Sequence, residues 1–284
     1  MPSLAIVSVH YYPHCLEASL REVERIAGLA PPERCVLISN NSSLHETLLA
    51  LAQAHAVVDA VELHDNRGLE FGAYQRGLDH VTQQGDFDWV LFVNDTVATH
   101  QLFCSRHRKA LAARLGEPQT GELPVAVGRV DSLPRSYALH GARSHRWITT
   151  NVFALNRRAL EVLGGRVHHA ELDALIRTTA DLGDFFSPEM DEVLVNHLKA
   201  WLFGAAPGPR WREAAPLAPG NAERYAGKAR AILQEKYLSA RLDEGKAFFA
   251  DLRKLSDLDR LRCRGEQVMF KLCRSLRARG SSPT

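Results

Sequence analysis

The chain has 284 residues, 45% hydrophobic and 24% charged, with a formal net charge of +2. Those proportions belong to an ordinary globular protein long enough to bury a substantial core, and the near-neutral balance makes no electrostatic case for nucleic acid. Five cysteines, Cys15, Cys35, Cys104, Cys263 and Cys273, are odd in number, scattered and without a Cys-x-x-Cys pair. The expectation from them is a reducing compartment, with neither a disulfide framework nor a zinc knuckle. The opening Leu4-Ala-Ile-Val-Ser-Val lacks a basic n-region, and no apolar run is long enough to span a bilayer. That reads as a cytoplasmic protein.

Short β-rich runs alternate with helical patterns through the first half. Strands are expected at residues 4–10, 35–39, 57–63 and 88–93. Helices are expected at 17–29, closed by Pro31-Pro32, at 43–55, opened by a Ser43-x-x-Glu46 capping box, and at 71–83. Alternation of this kind predicts βαβ units and a largely parallel sheet, whose ligands sit beyond the carboxyl ends of the strands. Those ends carry His10-Tyr11-Tyr12, Ser39-Asn40-Asn41-Ser42, His64-Asp65-Asn66 and Asn94-Asp95-Thr96. One polar strand end is ordinary loop chemistry; four on one edge describe a binding surface. Further strands are expected at 125–130 and 148–155, separated by a polar, Arg- and His-rich stretch, and a helix at 191–203. Residues 205–220 read as a Pro/Gly-rich connection, and 221–284 as a helical, increasingly basic appendage to a catalytic domain of residues 1–204.

Two motifs carry most of the chemistry. Asn66-x-Gly68-x-Glu70-x-Gly72-Ala73-Tyr74 leads from a strand end into a helix, and the next strand is apolar until it stops on Asn94-Asp95-Thr96. Glycines admit positive φ and close backbone approach, and a carboxylate at a strand tip is a hard ligand suited to Mg2+ or Mn2+. Together these motifs resemble GT-A glycosyltransferases, most closely the bacterial rhamnan synthesis protein F group. Weaker matches follow at His145 to Asn156 and Glu192 to Gly204, so the resemblance covers roughly residues 4–204. It implies a Rossmann-like α/β fold of GT-A type. It further implies transfer of a sugar from a nucleotide-sugar donor to a saccharide or lipid-linked acceptor in bacterial surface polysaccharide synthesis, with inversion as the family expectation. Where most GT-A enzymes carry Asp-x-Asp, Asn94-Asp95-Thr96 offers one carboxylate, which keeps open a non-catalytic nucleotide- or partner-binding module.

On this reading Asp95 holds a divalent cation against the donor diphosphate, with Asn94 beside it, although an Asx-turn residue ending a strand explains it too. Asn66, Gly68 and Gly72 shape the donor site, or simply start a helix. Ser39 and Asn40 meet the base and ribose and Tyr11 stacks on the base, or the Ser and Asn only turn the chain. A general base is expected among Glu189, Asp191 and Glu192, with Glu192 and Asp191 the two candidates, yet acids at a helix start also serve the helix dipole. His10, His14, His168 and His169 lack supporting ligands at metal spacing. A dinucleotide-dependent oxidoreductase is disfavoured, because Tyr11-Tyr12-Pro13 follows the first strand where Gly-x-Gly-x-x-Gly belongs.

From Leu252 to Leu276 an apolar stripe runs beside a crowd of Arg and Lys. It reads as a basic amphipathic helix, lying on an anionic membrane at the inner face of the plasma membrane, packing on its own domain, or docking on a second copy of the chain as a homodimer.

Overall fold

The computed structural model describes residues 2–98, 103–118, 123–204, 210–211 and 213–254, with Cys263, Gly265, Glu266, Val268 and Met269. β1 (Leu4–His10) is buried along its whole length, and β2 (Arg34–Ser39) and β4 (Trp89–Asn94) nearly so. Strands that are apolar on both faces must be covered on both. β3 (Ala60–Leu63), β2, β1 and β4 pair in parallel in that spatial order. Two long strands, β5 (Val125–Leu139) and β6 (Ala142–Asn156), follow. β6 runs antiparallel to β4 and to β5, while β7 (Phe248–Asp251) runs parallel to β5. The product is a seven-stranded, mostly parallel α/β sheet, β3-β2-β1-β4-β6-β5-β7. The chain steps one way from β1 to β2 and β3 and the other way to β4, so a topological switch point lies between β1 and β4.

Side chains alternate between two cores. Leu4, Ile6, Leu37, Trp89 and Leu91 meet α1 (Leu16–Ala27), α2 (His45–Ala52) and α4 (Ser105–Gly116). Ala5, Val7, Ile38, Val90 and Phe92 meet α3 (Leu69–Thr82), α5 (Arg157–Val162) and α8 (Ala222–Glu244). Each cluster holds more than a dozen large apolar side chains, each worth about 1.5–3 kcal/mol when buried, so the two cores fix the layers.

The polar stretch expected to separate two short strands is itself strand. β5 and β6 form one hairpin turning on His140 (φ 49°) and Gly141 (φ 86°), the positive φ pair that a two-residue turn of matching twist requires. Its distal half buries Tyr137, Leu139 and Ala142 under a third cluster, with Phe185 of the one-turn α6 (Leu182–Phe185) and Leu194, Leu198 and Leu202 of α7 (Glu192–Phe203).

The C-terminal region corrects the expected organisation. α8 contributes Leu238 and Leu242 to one core and Tyr225 and Leu233 to another, and β7 is the seventh strand of the same sheet. Residues 221–254 are therefore integral to the fold and no appendage begins at 221. The strand escapes sequence reading because Phe248-Phe-Ala-Asp251 is four residues long inside a charged stretch. Cys104 and Cys263, 159 residues apart, form a disulfide with a Cα–Cα distance of 5.9 Å, against the expectation of none. Most of the basic amphipathic stretch lies outside the described residues; of its apolar positions, Val268 and Met269 are exposed. No helix among the described residues is long and apolar enough to cross a membrane.

Candidate functional site

The switch point is closed by a buried carboxylate. Asp95 follows the last residue of β4 and is 3% exposed, and its Oδ2 accepts the backbone N–H groups of Tyr11 at 2.8 Å and Tyr12 at 2.6 Å. It thus ties the end of β1 to the end of β4. Burial pushes its pKa up to about 6, against the two amides that favour the charge, and Glu70 pushes it further up. Asn94 serves the turn instead: its Oδ1 accepts the Thr96 N–H at 3.1 Å and hydroxyl at 2.6 Å. Tyr11 and Tyr12 stand 39% and 41% exposed with their rings edge to face at 5.0 Å, an aromatic surface beside the carboxylate. Burial raises the Tyr12 hydroxyl pKa, and Asp95, Glu70, Tyr11 and Glu213 add to the effect.

The ends of β2 and β3 are locked to each other. Asn40, 2% exposed, donates from Nδ2 to Asn66 Oδ1 at 2.8 Å, and its Oδ1 lies 2.7 Å from His64 Nδ1. Ser39 donates to the Asn41 carbonyl at 3.0 Å. Asn66, Gly68 and Leu69 all have positive φ, at 62°, 69° and 54°. Such a conformation in leucine is costly and marks a loop held by its surroundings. A Cβ on Gly68 would stand 2.3 Å from the His168 ring, and one on Gly72 would stand 1.8 Å from the Arg67 carbonyl oxygen. Both glycines are demanded by contacts within the protein, which is the helix-start alternative for them.

Glu70, in the first turn of α3, and Tyr74, one turn on, lead inward from that loop. Tyr74 is fully buried against Phe71, Phe92 and Phe153 and donates its hydroxyl to the Thr150 carbonyl at 2.7 Å. Three carboxylates, Glu70, Asp95 and Glu235, raise its pKa after burial, so all three lie within electrostatic range of one phenol. Glu235, on α8, accepts the Thr150 N–H at 3.0 Å and hydroxyl at 3.1 Å through Oε2. Thr150 is available because the β5–β6 register jumps between Gly128 and Arg129, skipping residues 150–152. A bulge of this kind commonly re-aims side chains beside a site. Burial pushes the Glu235 carboxyl up, opposed first by Lys236. Lys236 is 1% exposed, with Nζ 2.6 Å from the Trp147 ring centroid, and burial brings it down to about 7.

No protein-family model matches the chain, and no curated protein matches it either. Its chemistry must be read from this geometry.

The expected site residues therefore divide. Tyr11, Ser39, Asn40, Asn66, Gly68, Gly72, Asn94 and Asp95 all lie along the carboxyl edge that the sequence pattern describes. Asp191 caps α7, accepting the N–H groups of Val193 at 2.9 Å and Leu194 at 3.3 Å, and Glu192 accepts from Asn196 Nδ2 at 3.4 Å. Their helix packs on the distal hairpin, and no described contact joins either acid to the Asp95 corner. His10 is fully buried between Ser8 and Ser19, and burial drops its pKa to about 3. It is a neutral strut between β1 and α1. Glu235 escapes sequence reading, since Gln234-Glu-Lys-Tyr237 sits in a 23-residue helix with the look of a solvated face.

Glu70 and Asp95 present oxygen, the donor Mg2+ and Mn2+ prefer. No lysine or arginine among the described residues pairs with Asp95 or Glu70, and Glu70 disfavours the charge on Asp95. A divalent cation would meet an Asp95 carboxylate whose charge the Tyr12 and Tyr11 amides, and His14, already favour against burial. Asp95 would offer it only what the two amides leave.

Proposed function

We propose that this chain is a GT-A-type glycosyltransferase, moving a sugar from a nucleotide-sugar donor to a saccharide or lipid-linked acceptor in bacterial surface polysaccharide synthesis. The observation that supports the reading is a buried carboxylate, Asp95, at the β1–β4 switch point, flanked by the exposed rings of Tyr11 and Tyr12. A parallel sheet places ligands at that crevice, and the edge combines an aromatic surface for a base with polar groups for a ribose. Asp95 and Glu70 would hold Mg2+ or Mn2+, which when bound neutralises charge on a departing diphosphate.

Glu235 is the base this reading favours over Glu192 and Asp191. An inverting transfer needs a proton acceptor beside the attacking hydroxyl with a pKa drawn toward neutrality, and burial moves Glu235 that way. Thr150 fixes one of its oxygens, and Tyr74 anchors Thr150 from the other side of the same residue. The basic stretch after Leu252 would hold the enzyme to the inner face of the plasma membrane and raise its effective concentration over a lipid-linked acceptor.

One observation favours a second reading. Asp95 Oδ2 already accepts two amides, so a non-catalytic module that binds a nucleotide or a partner enzyme would use the same crevice with Asp95 as a brace. Donor turnover separates the two. Thermal stabilisation by a panel of nucleotide sugars, with and without Mn2+, identifies the donor; slow hydrolysis or transfer of that donor is the enzyme's result, and binding without turnover is the module's.

A further inference from the structure

Cys104, His107 and Cys263 converge at the start of α4, whose Leu111 and Leu115 pack into the core beneath α1. Their ligand atoms all lie within 4.8 Å of one another, and Cys104 Sγ is 3.3 Å from His107 Nδ1. Two ligands on one tetrahedral zinc ion stand about 3.5 Å apart, given Zn–S near ~2.3 Å and Zn–N near ~2.0 Å. The Cys-x-x-His spacing brings both ligands to the start of α4: Cys104 is the N-cap and His107 the third helical residue. Glu266 pins the other half of the site, accepting the Ser105 N–H at 2.9 Å and the Ser105 hydroxyl.

We propose that the reduced protein binds one zinc ion through Cys104, His107 and Cys263, and that the disulfide is the alternative, oxidised state of the same site. Reduction by a dithiol delivers two electrons and two protons to the sulfurs, and the dithiol leaves as its own disulfide. Zinc then displaces the two thiol protons, as metal binding to cysteine does. His107 Nδ1 exchanges the long 3.3 Å bond from the Cys104 N–H for the metal. The pairing joins α4 to the C-terminal segment in either state, and zinc performs that task where a reducing compartment would open a disulfide. A bare disulfide has no use for the imidazole.

The test uses the full chain, reduced with dithiothreitol under anaerobic conditions and desalted. Zinc titration should then show one equivalent bound per chain, and cobalt substitution should give thiolate-to-cobalt charge-transfer absorption. Zinc should also protect Cys104 and Cys263 from alkylation, as mapped by mass spectrometry. Oxidation to the disulfide should release the metal. Cys104→Ser and His107→Ala should each lose the stoichiometric zinc, while oxidised His107→Ala keeps the disulfide and thereby demonstrates a folded chain. The inference is overturned if reduced wild type binds no more zinc than the Cys104→Ser/Cys263→Ser double variant, or if His107→Ala binds zinc as wild type does.

Discussion

Asp95 and Asp191 each accept two backbone N–H groups, Asp191 from Val193 and Leu194 of its own helix and Asp95 from Tyr11 and Tyr12 at the distant end of β1. What separates them is where the rest of the carboxylate sits. Asp191 begins α7 at a solvent-reachable corner, and capping accounts for it. Asp95 is sealed at the switch point, where burial holds its pKa up at about 6 against the Tyr12 and Tyr11 amides, with Glu70 adding to the rise and His14 opposing it. Backbone hydrogen bonds alone thus do not single out a candidate site; a buried carboxylate with a raised pKa at a strand end does.

The comparison is tested hardest at Glu235, which is no cap at all. Glu235→Gln keeps an acceptor for Thr150 and removes the base, so transfer should fall about 10²–10⁴-fold with nucleotide affinity unchanged. Steady-state transfer beside calorimetry measures both, and activity near wild type would return the base to another residue.

The two aspartates come next. Asp95→Ala strands two amides in a buried corner and should cost about 2–4 kcal/mol of unfolding free energy, together with donor binding. Asp191→Ala should cost about 1 kcal/mol, as for a lost cap, and leave donor binding intact. Urea denaturation with nucleotide titration distinguishes them. Equal effects of the two on donor binding would erase the distinction.

A smaller effect appears with pH. Asp95 is raised when folded, so its contribution is fully present below the ordinary carboxylate pKa near ~3.9 and is lost as pH rises through about 6. Without divalent cation, Asp95→Asn should flatten the stability curve between those values by about 2–3 kcal/mol relative to wild type. Identical pH slopes in the two proteins would mean that Asp95 is not buried as a charge.

The parallel half of the sheet was legible in the sequence because β1, β2 and β4 are short apolar runs bounded by turn chemistry. Asp95 was legible for the same reason, since a carboxylate ending such a run stands out. Its burial was not: a strand tip reads as exposed, but Asp95 opens a turn that packs on α1 and β6 beside the returning Tyr11 and Tyr12 amides. Glu235 was hidden because helix α8 crosses β6 at residues some 85 positions earlier, and no local pattern encodes that crossing. The Cys104–Cys263 pairing was hidden likewise by 159 residues of separation. Gly72 shows the opposite error, a residue suited to ligand approach whose space is taken by the Arg67 carbonyl.

If the Asp95 corner receives a nucleotide sugar, donor binding measured directly shows it. Calorimetric titration of wild type and Asp95→Asn with UDP-, GDP- and dTDP-sugars in the presence of Mn2+ should show one donor binding wild type at a single site. That binding should weaken at least tenfold in Asp95→Asn and in wild type without Mn2+. No binding of any nucleotide or nucleotide sugar to folded wild type, or binding that Asp95→Asn leaves untouched, would contradict the account.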